Sequence, residues 1–370
     1  MKIAIPTETQ HGESRVAASP DTVKAFVKKG AEVWVQAGAG KGASIPDEAF
    51  ATAGAKVSTS GFDMADVVLT VRRPSPALLA SLKPGTILMG GLEPYGDRPG
   101  LEAIAKSGVT AFAMELMPRI TRAQSMDILS SQANLAGYKA VIDAAFYFTR
   151  AFPMMMTAAG TVPAAKVFIM GVGVAGLQAI ATARRLGAIV SATDVRKATE
   201  EQVKSLGAKF VYADIADAAT SGGYAKELSA EDKAKQAALV AEHVKNQDVV
   251  ITTALIPGRP APVLITQEMV ESMKPGSIIV DLAVERGGNC PLSRPDQIVE
   301  HKGVRIVGTV NLAGKLAGNA SPLFAKNLAN FLDLMIQKDG SLKIDDADEC
   351  IKGTMIARSG ALVHPMFQGA

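Results

Sequence analysis

The sequence predicts an α/β protein of two domains, each with a parallel sheet flanked by helices. The chain has 370 residues, and hydrophobic residues make up 48% of it. This length suits about two domains of 100 to 200 residues each. Short apolar runs rich in Val and Ile alternate with helical stretches, once in the first third of the chain and again, more clearly, in the middle. Such alternation is typical of parallel sheets covered by helices.

Charge and cysteine content exclude several classes of protein. Lys and Arg number 39 against 36 Asp and Glu, so the net charge is only +3, and no long block of like charge indicates a nucleic-acid groove. The hydrophobic content argues against disorder. Cys290 and Cys350 cannot form a disulfide framework and lie in no metal-ligand motif. We therefore expect no metal site and a reducing compartment.

The first third of the chain predicts strands separated by helices. Pro20 follows Ser19, which puts proline at the first position of a helix whose apolar residues share one face. The N-terminal segment lacks a long apolar signal core and predicts a strand instead. The strands predicted here lie at 2–5, 31–36, 67–71, 86–89 and 109–114.

The rest of the chain predicts the second domain and a return to the first. A mostly helical passage from about 123 to 152 leads into the second domain. Ser321 and Pro322 predict the start of an amphipathic helix, and we expect the short tail after it to pack on the first domain. The predicted domains are 1–130 with 315–370, and 131–314, joined by two crossings around a cleft of the kind in which ligands bind. The second domain has a predicted helix at 176–186 and strands at 167–170, 189–193, 249–253, 277–280 and 304–307.

The longest uncharged stretch of interest, residues 167–183, is about 17 residues long, the lower limit for crossing a bilayer. It contains three glycines and Gln178. This pattern favours a strand, a turn and a helix, so the sequence predicts no membrane span.

The strongest motif is GVGVAG at 171–176. It follows an apolar strand, begins a helix and is followed by Asp194 at the end of the next strand, which is the context of a dinucleotide-binding site. Gly171 allows a tight turn, Gly173 lets a pyrophosphate approach the backbone, and Gly176 lets the helix pack closely on the strand. The alternative is an ordinary turn in which the glycines serve packing alone.

The loop after the second strand bears on nucleotide choice. Asp194 is expected to accept hydrogen bonds from the adenosine ribose and to repel a 2′-phosphate, which favours NAD over NADP. Arg196 and Lys197 are cations in the same loop that could receive such a phosphate, so some NADP binding stays open.

A polar segment before the helical passage is a second candidate site. Arg119, Gln124, Asp127 and Ser130 are expected to leave a strand end and enter a helix, with the last three spaced three residues apart on one face. Such side chains supply the donors and acceptors that a nicotinamide carboxamide and ribose need. The alternative is a solvated helix N-terminus with a serine or threonine cap.

Long strings of sequence are similar to the NAD(H)-binding component of the proton-translocating NAD(P) transhydrogenases, in the alanine dehydrogenase/transhydrogenase superfamily. The resemblance covers nearly the whole chain. It implies two Rossmann-like, doubly wound parallel-sheet domains flanking a nucleotide-binding cleft. The strings that carry it lie at 118–132, 151–163, 222–227, 252–258, 280–285 and 321–328.

This resemblance implies an enzyme of the Si-specific, proton-translocating type. NADH bound on this chain would pass hydride directly to NADP+ held on a partner subunit. The family implies a homodimer, an NADP(H)-binding subunit and a membrane-embedded proton-channel subunit, with this chain at the cytoplasmic face of the inner membrane. Because no segment is predicted to cross a bilayer, proton coupling would need the membrane partner.

The resemblance also assigns site residues. The nicotinamide end is assigned to Arg119, Gln124, Asp127 and Ser130, with Ile120 and Thr121 as further cofactor-binding positions. The pyrophosphate is assigned to Val174, Ala175 and Gly176, and the adenosine ribose to Asp194, Val195 and Arg196. Other parts of the nucleotide are assigned to Gly223, Gln236 and Leu255, and Tyr224 belongs to a loop that the family closes over NAD(H).

Alanine dehydrogenase, in the same superfamily, is the alternative enzyme. Arg15 matches the arginine that binds the substrate carboxylate there, but Arg72 replaces a lysine of that pattern and Glu285 an aspartate. That class uses a histidine acid/base after the strand at 86–89, where this sequence reads GGLE at 90–93. Some transhydrogenases carry a histidine there, so this position alone does not separate the families. A non-catalytic NAD-sensing module is a third possibility.

Overall fold

The structure, a computed structural model, describes residues 1–213, 215, 229–256 and 258–368. The chain divides into two compact units, Met1–Gln132 with Ala313–Ala370, and Ala133–Leu312. Each unit contains a mainly parallel sheet with a hydrophobic cluster on each face. The predicted α/β class is therefore confirmed.

Strands occur in both units and in the C-terminal segment. The first segment forms β1 (Lys2–Ile5), β2 (Glu32–Gln36), β3 (Lys56–Ser58), β4 (Val67–Leu69), β5 (Ile87–Gly90) and β6 (Thr110–Ala113). The second unit forms β7 (Met155–Thr157), β8 (Gly160–Val162), β9 (Lys166–Met170), β10 (Ile189–Thr193), β11 (Lys209–Phe210), β12 (Val249–Thr252), β13 (Ile278–Asp281), β14 (Ile298–His301) and β15 (Val304–Val307). The C-terminal segment adds β16 (Met355–Arg358) and β17 (Ala361–Leu362).

Helices alternate with these strands. The first segment forms α1 (Pro20–Lys28), α2 (Asp47–Thr52), α3 (Pro76–Ser81) and α4 (Arg98–Lys106), and α5 (Ile128–Tyr147) runs from the first unit into the second. The second unit continues with α6 (Val174–Arg185), α7 (Glu200–Ser205), α8 (Ala230–Val244) and α9 (Gln267–Ser272), and the C-terminal segment has α10 (Ala317–Leu332) and α11 (Glu349–Thr354). Short 3-10 helices lie at Lys41–Ala43, Met114–Leu116, Thr121–Met126, Lys197–Thr199, Val284–Arg286, Gly314–Leu316 and Pro365–Phe367.

The sheet of the first unit has the strand order β17-β16-β6-β5-β4-β1-β2-β3, with β16 and β17 antiparallel at one edge. Side chains alternate between its faces, as a strand period of two requires. Ile3 and Ile5 pack with Phe324 and Phe331 of α10, whereas Ala4 packs with Ile104 of α4 on the other face. Helices thus cover both faces of a buried parallel sheet.

The sheet of the second unit has the order β11-β10-β9-β12-β13-β15-β14, in which β14 is the antiparallel edge strand. Val167 and Ile169 of β9 pack on one face with Ile180 of α6, while Phe168 packs on the other with Val240 of α8. The chain leaves β9 toward β10 on one side and later continues from β12 on the other. The boundary between β9 and β12 is therefore the topological switch point, outside whose strand ends ligands bind in such sheets.

Local signals located several elements correctly. Ser19 caps α1 by accepting a hydrogen bond from Thr22 N, and Pro20 is its first residue. Residues 167–183 form the predicted strand, turn and helix. None of the helices in the described ranges is both long and apolar enough to span a membrane.

The passage predicted to be mostly helical from about 123 to 152 contains the 3-10 helix Thr121–Met126 and then α5, so this prediction is confirmed. The predicted helix start at Ser321 is wrong. Ser321 does not cap a helix, because α10 begins at Ala317 and contains Pro322. The Ser321 hydroxyl is fully buried and accepts a hydrogen bond from Val16 N at 3.1 Å, a partner that local sequence cannot reveal.

Candidate nucleotide-binding site

The GVGVAG turn connects β9 to α6, and its three glycines have different surroundings. Gly171 has φ +100°, which favours glycine, and a Cβ there would lie 2.6 Å from Thr253 Oγ1. A Cβ on Gly176 would overlap the carbonyl oxygen of Gly171. By contrast, Gly173 has φ −86°, and nothing lies within 4 Å of where its Cβ would be. Packing therefore requires Gly171 and Gly176, whereas Gly173 borders open space.

The N-terminus of α6 faces this open space without a side-chain cap. Gly173 is the N-cap residue and supplies no side-chain hydrogen bond. Val174 is exposed and Ala175 half-buried, while Gly176 is buried against the turn. Uncapped N–H groups and the helix dipole favour an anion at this position. The backbone of the turn is thus suited to a phosphate.

Asp194 follows β10 directly and is 8% exposed. Its carboxylate accepts hydrogen bonds from Val172 N at 2.7 Å and from Arg196 N at 2.9 Å. The Arg196 guanidinium donates to the same carboxylate from Nε at 2.8 Å and from Nη2 at 2.7 Å. Asp194 therefore ties the end of β10 to the glycine turn and neutralises Arg196, with half-buried Val195 between them and Lys197 exposed.

The segment after β12 lies beside the glycine turn, on the side away from β10. Thr253 Oγ1 donates to the Gly171 carbonyl oxygen at 2.9 Å, which joins the ends of β9 and β12. Leu255 follows, with 47% of its surface exposed. Because β9, β10 and β12 are parallel neighbours, their carboxyl ends share one edge of the sheet. The structure brings the turn, Asp194 and Leu255 to this edge.

Gln236 on α8 contributes an unsatisfied acceptor. Its Nε2 donates to Thr193 Oγ1 at 2.9 Å, but its Oε1 is buried and has no hydrogen-bond partner among the described residues. Burying an acceptor without a donor costs about 1–3 kcal/mol, and a ligand hydroxyl or amide at this edge could supply the donor. This orphan atom fits a nucleotide. Gly223 and Tyr224, also predicted here, lie outside the described residues.

The candidate nicotinamide residues lie in the first unit, around the start of α5. Arg119 and Ile120 precede the 3-10 helix Thr121–Met126, which contains Gln124. Arg119, Thr121 and Gln124 are exposed, and Ile120 is half-buried. Buried Ala123 and Met126 anchor the 3-10 helix in the core of the unit. Its position is also held by Asn327 and Asn330, whose Nδ2 atoms both donate to the Ser125 carbonyl oxygen at 2.9 Å.

The predicted helical face of Gln124, Asp127 and Ser130 is wrong. Asp127 has an extended conformation, φ −79° and ψ 98°, and separates the 3-10 helix from α5. Its carboxylate accepts hydrogen bonds from Ser130 N at 3.0 Å and Ser130 Oγ at 2.6 Å, so it acts as a cap for α5. The alternative interpretation of this segment, a helix N-terminus with a serine or threonine cap, is closer to the structure, but the capping residue is Asp127.

A partly buried ion-pair cluster lies at the carboxyl ends of β1, β4 and β5 in the first unit. Arg15 is 7% exposed, and it donates to Glu13 Oε1 from Nε at 2.8 Å and to Gln132 Oε1 from Nη1 at 2.9 Å. Arg72 donates to Glu13 Oε2 at 2.9 Å and to Glu93 Oε1 at 3.0 Å. Both arginines thus have carboxylates of this chain as partners.

Two carboxyl groups of this region titrate in opposite directions. Burial alone would raise the pKa of Glu13, but hydrogen bonds and charge from Arg15 and Arg72 lower it to about 2. Burial raises the pKa of Glu8 to about 7, although Val71 N and Arg72 N donate to its carboxylate at 2.6 and 3.2 Å. At neutral pH Glu13 is therefore ionised, and Glu8 is near its midpoint.

We expect Glu8 to destabilise the protein as the pH rises. The pKa of Glu8 rises from 4.5 to about 7 on folding, so the folded state binds this proton more tightly than the unfolded state. The proton therefore adds to the free energy of unfolding at low pH, and this contribution is lost as the pH rises from 4.5 to about 7. In Glu8→Gln, Tm relative to wild type should therefore increase between pH 5 and pH 8, by the equivalent of up to about 3 kcal/mol. Asp97→Asn is the control: hydrogen bonds from Gly100 N and Arg73 lower the pKa of the Asp97 carboxyl, which is therefore ionised over this range, so its difference from wild type should stay flat. A flat Glu8→Gln difference would contradict the assignment.

Sequence reasoning missed two residues at the nucleotide edge. Thr253 lies in one of the strings that carry the family resemblance but received no role, and its place after an apolar strand was the available signal. Asn289 is fully buried and its side chain hydrogen-bonds Ala254. No sequence signal points to Asn289, because its partner is 35 residues away.

Comparisons with known proteins show the family of the chain. Residues 4–136 match the family model for the alanine dehydrogenase/PNT N-terminal domain, and residues 140–365 match the model for the C-terminal domain. The chain is 58% identical to an NAD(P) transhydrogenase alpha subunit protein of Rhodospirillum rubrum, over 100% of this chain and 99% of that protein. It is 33% identical to alanine dehydrogenase of Mycobacterium tuberculosis, over 80% of this chain and 76% of that protein. A crystal structure of transhydrogenase from Sinorhizobium meliloti is 55% identical and has a TM-score of 0.90, covering 98% of this chain and 100% of that one.

Proposed function

The chain belongs to the alanine dehydrogenase/PNT family, and on this premise we propose that it binds NAD(H) and passes hydride from NADH to NADP+ held on a partner subunit. The observation that carries the proposal is the glycine turn with its uncapped helix start beside Asp194. Full-length similarity to transhydrogenase subunits supports the transfer reaction over other uses of a dinucleotide site.

In this proposal, different residues of the second unit bind different parts of the nucleotide. The N–H groups at the start of α6 bind the pyrophosphate, and open space at Gly173 lets it approach. Asp194 accepts from the adenosine ribose and disfavours a 2′-phosphate. Gln236 Oε1 accepts a further ligand hydrogen bond, because it is buried and no described residue donates to it. We assign Gly223 and Tyr224 to the same site from the family resemblance alone.

The polar segment of the first unit holds the nicotinamide in this proposal. Gln124 offers an exposed amide that can both donate and accept, as a carboxamide requires. Asp127 and Ser130 are already hydrogen-bonded to each other, so their positions are fixed before the nucleotide binds. Arg119 supplies a positive charge near the ring. When bound, NADH supplies the hydride from C4 of its ring. The chain contributes mainly positioning, since a well-oriented pair of reactants can lower a barrier by about 7–11 kcal/mol.

Further subunits complete the proposed enzyme. The Rhodospirillum rubrum relative is named as one portion of a subunit alpha, which implies other portions in that enzyme. We propose that this chain forms a homodimer, acts with an NADP(H)-binding subunit, and is held at the cytoplasmic face of the inner membrane by a proton-channel subunit. Proton movement then occurs in the membrane partner.

The ion-pair cluster argues against the amino-acid dehydrogenase alternative. Arg15 would have to bind a substrate carboxylate, but Glu13 and Gln132 already accept its hydrogen bonds. The segment at the end of β5 reads GGLE at 90–93 and contains no histidine that could act as the acid/base. A Cβ on Gly91 would lie 2.7 Å from the Val71 carbonyl oxygen, which disfavours a side chain there.

One assay distinguishes the transhydrogenase activity from the amino-acid dehydrogenase activity. Wild-type protein should transfer hydride from NADH to NADP+ only when an NADP(H)-binding transhydrogenase subunit is added. It should not oxidise NADH with pyruvate and ammonia in the absence of that subunit. Turnover of pyruvate by the isolated chain would exclude the proposal in favour of the dehydrogenase.

Gln124→Asn should slow this transfer while leaving NADH binding nearly intact. The shorter side chain withdraws the amide by one methylene, so the ring is held less well in the reacting geometry. We expect transfer to fall about tenfold or more, equivalent to ~1.4 kcal/mol in the barrier, in single-turnover measurements. Ser125→Ala is the matched control, because Ser125 is exposed on the same 3-10 helix and its described contacts use only its carbonyl oxygen. Equal rates in the two variants would refute the role of Gln124.

A further inference from the structure

We propose that Asn289 is a positioning residue for the nicotinamide half of the dinucleotide, because its buried amide fixes the backbone that follows β12. The inference rests on the proposed NAD(H) binding. It adds a residue that contacts no ligand and acts through Ala254 and Leu255.

The side-chain amide of Asn289 forms hydrogen bonds with the segment that follows β12. Its Oδ1 accepts from Ala254 N at 3.2 Å, and its Nδ2 donates to the Ala254 carbonyl oxygen at 2.9 Å and to the Pro262 carbonyl oxygen at 2.8 Å. Both backbone polar groups of Ala254 are thus paired by one side chain, as a neighbouring strand would pair them. Asn289 is fully buried, so water cannot replace these bonds.

Asn289 is itself held rigidly. Asp281, at the end of β13, accepts a hydrogen bond from Cys290 N at 3.1 Å. Gly288 has φ +81°, and a Cβ on it would lie 2.8 Å from Asp281 Oδ2. The turn that carries Asn289 is therefore packed directly on the end of β13. We call the hydrogen bonds of the Asn289 amide to Ala254 and Pro262 the clamp. Because Asn289 is anchored to β13, the clamp holds Ala254 in a fixed position.

The clamped segment lies where the nicotinamide half is expected. The adenosine ribose belongs with Asp194 after β10, on one side of β9, and the pyrophosphate with the turn after β9. The other half of the dinucleotide must then extend over the carboxyl end of β12. Thr253 joins this end to Gly171, and Leu255 presents an exposed apolar side chain beyond it. Asn289 fixes this part of the edge and has no described bond to the adenosine side.

Asn289→Asp tests the clamp with almost no change in shape. The carboxylate still accepts a hydrogen bond from Ala254 N. Its other oxygen cannot donate to the Ala254 and Pro262 carbonyl oxygens, and its negative charge repels them. Binding of NADH and of ADP, which has no nicotinamide, should be measured by titration calorimetry on the full chain. We expect the dissociation constant for NADH to rise about tenfold or more, while that for ADP stays within about twofold. Asn289→Ser, which keeps a smaller polar side chain, should give the same split.

Cys290→Ala is the matched control, because it alters an equally buried neighbouring side chain without touching the clamp. It should bind both ligands as wild type does. The inference fails if the Asn289 variants bind NADH normally, or if they lose NADH and ADP in parallel, which would indicate general loss of structure. Failure of wild type itself to bind NADH would instead remove the proposed function.

Discussion

Gly173→Ala is expected to abolish tight NADH binding without loosening the fold, whereas Gly176→Ala is expected to destabilise the second unit. The two substitutions add the same methyl group to the same turn. At Gly173 the backbone has φ −86° and the methyl group enters open space, so the cost in stability should be below about 1 kcal/mol. At Gly176 it overlaps the Gly171 carbonyl oxygen, and overpacking of this kind costs about 3 kcal/mol.

The effect of Gly173→Ala on binding has a separate origin from its effect on stability. The methyl group on Gly173 occupies the space through which a pyrophosphate would approach the first N–H groups of α6. We expect the dissociation constant of NADH to rise about 100-fold, or ~2.7 kcal/mol. Differential scanning calorimetry and NADH titration of both variants measure the two effects separately. A Gly173→Ala protein that binds NADH like wild type would mean that the nucleotide does not use this turn.

Asp194→Ala is expected to reverse the nucleotide preference. Asp194 is the acceptor proposed for the adenosine ribose, and it also neutralises the Arg196 guanidinium through Nε and Nη2. Removing it deprives NADH of its acceptor and takes away the charge that neutralises Arg196, whose guanidinium we then expect to bind a 2′-phosphate. The ratio of NADPH to NADH affinity should rise at least about 100-fold, or ~2.7 kcal/mol.

The double variant with Arg196→Ala identifies the source of the change. If Arg196 receives the phosphate, the second substitution should remove the gain in NADPH affinity while leaving the loss of NADH affinity. Affinities are measured by titration at constant ionic strength, because phosphate contacts are screened by salt. No gain for NADPH in Asp194→Ala would show that Arg196 does not reach the adenosine ribose.

Local sequence predicted the elements whose signals lie within a few residues. The Ser19-Pro20 start of α1 needs only Thr22 to complete its cap. The GVGVAG turn combines a positive φ at Gly171 with a close contact at Gly176, and both needs arise within six residues. The placement of strands in alternation with helices followed from hydrophobic runs, because buried parallel strands are apolar on both faces.

The errors arose where a distant partner decided the local conformation. Asp127 interrupts the helical face predicted for Gln124, Asp127 and Ser130, and the 3-10 helix before it is held by Asn327 and Asn330 of α10. Ser321 has the composition of a helix cap, but its hydroxyl binds Val16 N inside the first unit. Periodicity and capping rules act over one or two turns, so they cannot register contacts made across about 200 to 300 residues.

The sequence by itself determined the α/β class, the glycine turn and the family, since these depend on hydrophobic period, glycine geometry and long specific strings. Only the tertiary structure decided that Glu13 pairs with Arg15 and Arg72, that Gln236 has a buried acceptor with no partner in the described part of the chain, and that Asn289 holds the segment after β12. The physical reason is that burial and hydrogen bonding are properties of neighbours in space. Those neighbours meet only when the chain has folded.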